Sequence, residues 1–395
     1  MKVLIINESY KGGGTEVQTR REFNILRRHG HEVYLLTLDP SVPENVDCCI
    51  GNELNIPIKF SGFNKQIHRI IKSGKWEHII EKLVDDINPD VIHLNRTHDT
   101  EIDVYHAIQK YPTVQTLRDY GYVCPNNLCI DNNLICCKGY KYGSCRQCLS
   151  GNPKLLIRSL FFDYINNLRK KSVNLFVAPS EALSIACTEN GLTTRCINNP
   201  FDFSVIKKNI PMLDTATFLY YGLIAEHKGV SRLIDAFEEF HRKNLMCKLM
   251  LAGKCDKSYK AIFDSILKKP FVEYVGEVTN EQIMEIYRNI YCVIVPSLWI
   301  ENYPNTVLEA IANKTLVIGS NRGGIPELIG DSRFLFDVLD HKDIVQKLKY
   351  AWNLSDEEYI KVVNSRYDKI KHDNSENLYY QKIMSAFSII TSDKR

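Results

Sequence analysis

The sequence has no apolar run near the ~18 residues that would suggest a membrane span, no short internal repeat and no low-complexity tract. Its opening, MKVLIINES, does not read as a signal peptide, because the apolar run is short and Glu8 follows. A cytoplasmic location is therefore the expectation. Excess charge is also scarce: the net value is +3, with 24 basic against 21 acidic residues in 1–200 and 26 against 26 in 201–395. A nucleic-acid partner would call for a strongly basic face, which this balance does not supply. The glycines at 12–14 do not form G-x-G-x-x-G, so the dinucleotide fingerprint of a dehydrogenase is missing.

What is present is ordinary globular material, 44% hydrophobic and 25% charged. A chain of 395 residues exceeds the usual limit of about 250–300 for a single core, so two domains are expected. Strand, glycine turn and helix open the chain (Lys2 to Asn7, then Gly12–Gly14, then Val17, Phe23 and Leu26 on a buried face), and a strand at 32–38 follows. This is a β-α-β unit of a parallel sheet. Further strands are expected at 91–94, 113–117 and 175–178. The pattern restarts at 217–221, with strands at 248–252, 272–275, 293–296 and 315–318, and a last helix at about 375–390 has no strand after it. The expected fold class is α/β, two doubly wound Rossmann-like domains facing a cleft, divided as 1–205, 206–372 and a closing helix 373–395. Open sheets of this kind bind ligands beyond the carboxyl ends of their strands.

The segment from Pro296 to Glu327 carries the most chemistry. Glu301 and Glu309 lie eight positions apart, and Gly323-Gly324 precedes Pro326. Thr306-Val307-Leu308-Glu309 fits the S/T-x-x-E capping box, so Glu309 has a purely structural reading as a cap. Its functional reading is a carboxylate accepting from the two hydroxyls of a ribose. A loop glutamate such as Glu301 is commonly solvated surface, and an isolated Gly-Gly is commonly a plain turn. Glycines there also allow close backbone approach, and a helix start offers N–H donors to phosphate. Lys228-Gly229 opens another helix, where an ammonium can sit beside a diphosphate or simply face solvent.

Trp299 to Ala310 (WIENYPNTVLEA), followed by Gly323–Glu327 (GGIPE), resembles the E-x7-E and glycine-loop region of family 4 retaining glycosyltransferases. Gly12-Gly13-Gly14-Thr15-Glu16 is similar to their N-terminal glycine loop. Thr116–Tyr120 with Cys124-Pro125, Ala178-Pro179-Ser180, Asn199-Pro200 and Lys228-Gly229 fall in the family's order. The resemblance implies the GT-B fold and transfer of a sugar from a nucleotide-sugar donor to a glycan or lipid-linked acceptor with retention, in surface polysaccharide or glycoconjugate biosynthesis, with no cofactor required for catalysis. It implies that Glu309 binds ribose, that Glu301 faces the donor sugar, that Lys228 neutralises the diphosphate, and that Pro304, Asn305 and Thr306 line the donor. Gly13 and Gly14 would border donor and acceptor, and Arg118 would orient the acceptor or contact phosphate. Two departures stand out. Leu223 follows Gly222 where many relatives carry a diphosphate-binding arginine, and Arg118 stands where many carry histidine. The alternatives are a nucleotide-sugar epimerase of the same fold and an inactive binding subunit. A GT-A transferase is disfavoured by the lack of Asp-x-Asp.

Two segments remain. Cys124, Cys129, Cys136, Cys137, Cys145 and Cys148 lie within 25 residues. Cys145-x2-Cys148 has metal-ligand spacing, and a structural zinc at Cys124, Cys129, Cys145 and Cys148 is one expectation. Free thiols in a packed loop, or a disulfide formed on exposure to air, are the others, and metal analysis after reducing purification separates them. Lys154 to Lys171 holds five basic residues against Asp163, interleaved with aliphatic and aromatic side chains. It reads either as a buried helix with a charged end or as a surface that lies on the inner face of a membrane as a peripheral contact.

Overall fold

A computed structural model describes residues 1–10, 13–42, 52–60, 68, 70–137, 139–203 and 216–392. Gly12 and the 204–214 connection lie outside these residues. By internal contacts the chain divides into unit 1, Met1–Pro200 with Glu376–Arg395, and unit 2, Phe201–Ser375.

Unit 1 holds a seven-stranded sheet: β1 (Lys2–Asn7), β2 (Glu32–Thr37), β3 (Glu53–Asn55), β4 (Val91–Leu94), β5 (Thr113–Thr116), β6 (Leu175–Ala178) and β7 (Thr194–Cys196), ordered β3-β2-β1-β4-β5-β6-β7. Every pairing is parallel. Unit 2 repeats the plan with β8 (Thr217–Tyr221), β9 (Lys248–Ala252), β10 (Val272–Tyr274), β11 (Cys292–Val295), β12 (Leu316–Ser320) and β13 (Leu335–Phe336), ordered β10-β9-β8-β11-β12-β13 and again all parallel. Central strands such as β4, β6 and β11 are buried along their whole length. Helices cover both faces of a parallel sheet, which is why β6 and β11 read as unbroken apolar runs, with His93 the one polar residue in β4. The strands absent from the sequence reading, β3, β7 and β13, are two or three residues long and sit at sheet edges. A short edge strand buries too little to leave an apolar run.

Each order reverses direction beside its first strand, between β1 and β4 and between β8 and β11. Such a switch point leaves a crevice at the carboxyl ends of the two strands. The closing helix, Glu376–Ser392, belongs to unit 1. Its Tyr379, Ile383, Ala386, Phe387 and Ile390 join a core with Val3, Ile5, Phe23 and Leu26.

Candidate functional site

In unit 2 three loops meet at the switch point. The loop after β8 runs to Gly229, the N-cap of helix Val230–His241. That helix buries Val230, Leu233, Ile234, Phe237 and Phe240 at helical spacing. The loop after β11 carries Ser297 to Pro304, and Pro304 caps helix Asn305–Ala312. The loop after β12 carries Arg322, Gly323 and Gly324 and ends in helix Ile325–Ile329.

The β11 loop is clamped from both sides. Gly229 has φ +73°, and a Cβ there would collide with the Pro296 carbonyl. Gly323 has φ +58°, and a Cβ there would collide with the Glu301 carbonyl. Both positions combine a left-handed backbone with no room for a side chain, so only glycine fits. The His227 carbonyl accepts from the N–H groups of Leu298 (2.9 Å) and Trp299 (3.2 Å), and Gly324 N–H donates to the Glu301 carbonyl at 2.8 Å. The buried Arg322 guanidinium donates to the Leu298 carbonyl. The glycine pair therefore fixes the backbone of Glu301, a packing task that the reading of those glycines as a phosphate turn did not contain.

That clamp holds a charge pair. Glu301, 8% exposed, takes Lys228 Nζ at 2.7 Å and the Ser297 hydroxyl at 2.7 Å on Oε1. Burial pushes its carboxyl pKa up, but the Lys228 charge and these hydrogen bonds outweigh burial and hold it below the usual carboxylate range. Lys228 also lies over the Trp299 ring, 4.5 Å from its centroid. Ser297, Trp299, His227 and Arg322 were not singled out from sequence. His227 and Arg322 come from other loops and join Glu301 only by folding, and Ser297, four residues before Glu301, belongs to no motif.

Glu309 is half-buried one turn into the 305–312 helix. The N-cap is Pro304, with no side-chain cap bond, so Thr306 is the second helical residue and Glu309 is not part of a capping box. Thr306 instead donates its hydroxyl to the Tyr221 carbonyl at 3.3 Å. The Glu309 charge reaches the phenols of Tyr221 and Tyr287, whose pKa values are raised first by burial and then by that charge. Asn305 and Thr306 supply the first two amides of the helix, the end where its dipole favours an anion. Leu223, at the position of the missing arginine, is 38% exposed, and its carbonyl accepts from Tyr220.

In unit 1 the corresponding ends are filled. Arg118 donates from Nε to Asn95 Oδ1 (2.9 Å), from one terminal nitrogen to Asn199 Oδ1 (3.0 Å) and from the other to Glu22 Oε1 (2.5 Å). Glu22 is 1% exposed, accepts from Asn95 Nδ2 at 3.0 Å and lies 3.9 Å from His93. Burial opposes its charge, yet Arg118, His93 and Asn95 hold its pKa down. His93 is fully buried and its pKa is lowered chiefly by that burial. Arg118, expected to meet acceptor or phosphate, is thus turned onto a buried carboxylate and two amides. Gly13 caps helix Gly14–Arg28 and has open space where a Cβ would go, so packing does not demand glycine there.

The cysteine loop is also in unit 1. Cys124 is hydrogen-bonded to Cys129 and to backbone N–H groups of Asn126, Asn127 and Cys129, which lowers its pKa to about 6, with the Cys129 bond the largest cause. The thiols of Cys145 and Cys148 feel the Cys124 charge. Among the described residues, no three His, Cys, Asp or Glu side chains are gathered closely enough to hold a metal ion. Of the four cysteines named from their spacing, Cys124 lies within electrostatic reach of Cys129, Cys145 and Cys148.

Residues 203–366 match the family model of glycosyl transferases group 1. The match spans most of unit 2 and less than half of the chain. It contains Lys228, Glu301, Pro304, Asn305, Thr306, Glu309 and the Gly323-Gly324 pair. A wider likeness covers 91% of the chain and 95% of an uncharacterized 42.6 kDa protein in the cps region of Klebsiella pneumoniae, at 23% identity. The lipopolysaccharide 1,2-N-acetylglucosaminetransferase of Salmonella typhimurium is 29% identical over 163 residues, 39% of this chain and 42% of that protein. Among solved structures, Anabaena HepE in complex with UDP and glucose superposes with a TM-score of 0.70 at 16% identity, covering 98% of this chain and 99% of its own. The fold is therefore GT-B, and the group 1 region together with these relatives supports a glycosyltransferase.

Proposed function

We propose that the protein is a retaining glycosyltransferase that moves a sugar from a nucleotide diphosphate donor to a glycan or lipid-linked acceptor. One observation carries this reading: the Lys228–Glu301 pair lies on the loops after β8 and β11, with Glu309 in the helix that follows the β11 loop, at a switch point and inside the stretch that matches the group 1 model.

In this reading the two oxygens of Glu309 accept from the vicinal hydroxyls of ribose. The first amides of the 305–312 helix and the Lys228 ammonium receive the diphosphate. Lys228 then exchanges Glu301 for phosphate, and Glu301 is left on its clamped backbone facing the donor sugar. Breaking the glycosidic bond builds negative charge on the leaving diphosphate. Donors already aimed at that charge lower the barrier by about 3–4 kcal/mol each. The acceptor arrives on the face the diphosphate leaves, and the leaving phosphate takes its proton, so no strong protein base is needed. Work on surface polysaccharide or another glycoconjugate fits the cps and lipopolysaccharide relatives, and a uridine diphosphate sugar is the first donor to test because HepE was solved with UDP and glucose.

The test is a thermal-shift screen of nucleotide sugars, followed by NMR of the product's anomeric configuration. A ligand held at about 100 times its Kd stabilises the folded state by about 2.7 kcal/mol. Wild type should respond to one donor class and Glu309→Ala should not. A strong donor response that survives Glu309→Ala overturns the ribose assignment, and an inverted product overturns retention.

A further inference from the structure

The sequence leaves two readings of the 154–171 stretch, and the structure separates them. Helices Pro153–Leu160 and Phe162–Ser172 meet at Phe161. Phe162, Ile165 and Leu168 are buried, at 1%, 1% and 6% exposure, and anchor the second helix. A second apolar stripe faces outward. Ile157, Leu160, Phe161 and Tyr164 follow one another at i, i+3, i+4 and i+7 and are 46%, 50%, 39% and 48% exposed. Ile71, 58% exposed, extends the patch, since Ile70, Ile71, Lys72, His106, Phe161 and Tyr164 line one open groove. Scattered exposed apolar residues are normal, but a contiguous apolar patch marks an interaction surface.

The charges sort themselves by face as well. Arg158 and Arg169 turn inward: Arg158 lies against the His98 ring and donates to the Pro125 carbonyl, and Arg169 pairs with Glu101 at 2.7 Å. Lys154, Lys170 and Lys171 stay exposed, against exposed Asp163. Lys72 stands beside the groove, paired with Glu77 at 2.9 Å. An aliphatic and aromatic stripe with a net positive rim is complementary to the boundary between acyl chains and anionic headgroups. No helix among the described residues is long and apolar enough to cross a membrane.

We infer that this face of unit 1, centred on Ile157, Leu160, Phe161 and Tyr164, docks the protein on an anionic lipid bilayer. The inference goes beyond the catalytic reading and does not rest on it. Flotation of the full chain with phosphatidylcholine vesicles, with and without about one third phosphatidylglycerol, tests it. Anionic lipid should raise the bound fraction about fivefold or more, roughly the effect of one lysine reaching the surface, and salt should reverse the gain. Leu160→Glu with Tyr164→Glu should abolish binding, and Lys154→Glu with Lys171→Glu should remove only the response to anionic lipid. Leu160→Ser with Tyr164→Ser serves if the glutamate variant loses folding cooperativity. Equal binding to both vesicle types, or binding unchanged in the stripe variants, overturns the inference. So does a dimer in solution that the stripe variants dissolve, because a second copy would then cover the face. The donor response is read separately and should be the same in all these variants.

Discussion

Units 1 and 2 wind their sheets in the same order, yet they treat their switch points in opposite ways. Unit 1 fills the region beyond β4 and β5 with a closed polar network, in which the Arg118 and Glu22 side chains are 6% and 1% exposed. Unit 2 leaves its pair nearer the surface, with the Lys228 and Glu301 side chains 20% and 11% exposed, and fixes it by clamping backbone between two glycine turns. A buried pair with all its partners in place is a structural element whose loss leaves an uncompensated charge. A pair that solvent or an anion can reach can exchange one partner for another. The same topology therefore holds a deeply buried pair in one unit and a more exposed pair in the other.

The sharpest way to break this contrast is a matched pair of substitutions. Glu22→Ala should destabilise unit 1 by about 3–5 kcal/mol, because Arg118 would stay buried without its carboxylate, as read by denaturant unfolding. Lys228→Ala should cost only about 1–2 kcal/mol, since Ser297 still donates to Glu301, yet lower transfer about 10²–10³-fold. The reverse pattern would make Arg118 the functional cation and Lys228 the structural one. Next in size is a glycine comparison by thermal unfolding. Gly323→Ala meets the Glu301 carbonyl at positive φ and should lose about 1–3 kcal/mol together with donor binding. Gly13→Ala has open space and should stay within about 0.5 kcal/mol.

Acid should act in two stages, first on His93 of unit 1 and then on the buried carboxylates of both units. His93 is buried with a lowered pKa, so its stabilising effect is full above the unfolded value of about 6.5 and falls as pH drops from there toward the folded value. The lowered carboxyl groups of Glu22 and Glu301 stabilise fully above the unfolded value of about 4.3, and this is lost as pH falls through their folded values. Stability measured against pH should decline in two stages, and His93→Gln should remove the first; a single-stage decline in wild type would count against a neutral buried His93. The smallest effect concerns thiols. Cys124 in unit 1 is lowered to about 6, while burial pushes Cys247 in unit 2 up to about 12. Alkylation at pH 7 followed by peptide mapping should mark Cys124 well before Cys247, and equal labelling would erase the contrast.

The sequence made most central strands legible because a strand buried on both faces is mainly apolar, although β5 holds Thr113, Gln115 and Thr116 within its buried run. The same physics hid β3, β7 and β13, edge strands with little to bury. Within the site, Lys228, Glu301 and Glu309 were visible because their motifs are local in the chain. His227 and Arg322 were not, since they sit on the loops after β8 and β12 and meet the β11 loop only in the folded unit, and Ser297 was not because a lone serine four residues before Glu301 carries no motif. Thr306 illustrates the limit from the other side: its spacing to Glu309 fits a capping box, and only the position of Pro304 as N-cap rules the box out.

By itself, then, the sequence determined two doubly wound units and marked Lys228-Gly229, Glu301, Glu309 and Gly323-Gly324 as candidate site residues, because periodicity and short-range spacing are written along the chain. Tertiary structure decided which charges are held and which are offered. It turned Arg118, Arg158 and Arg169 inward, left Lys228 at the margin, and set Ile157, Leu160, Phe161 and Tyr164 facing out. Burial and ion pairing depend on neighbours brought from far along the chain, and spacing alone carries no record of them.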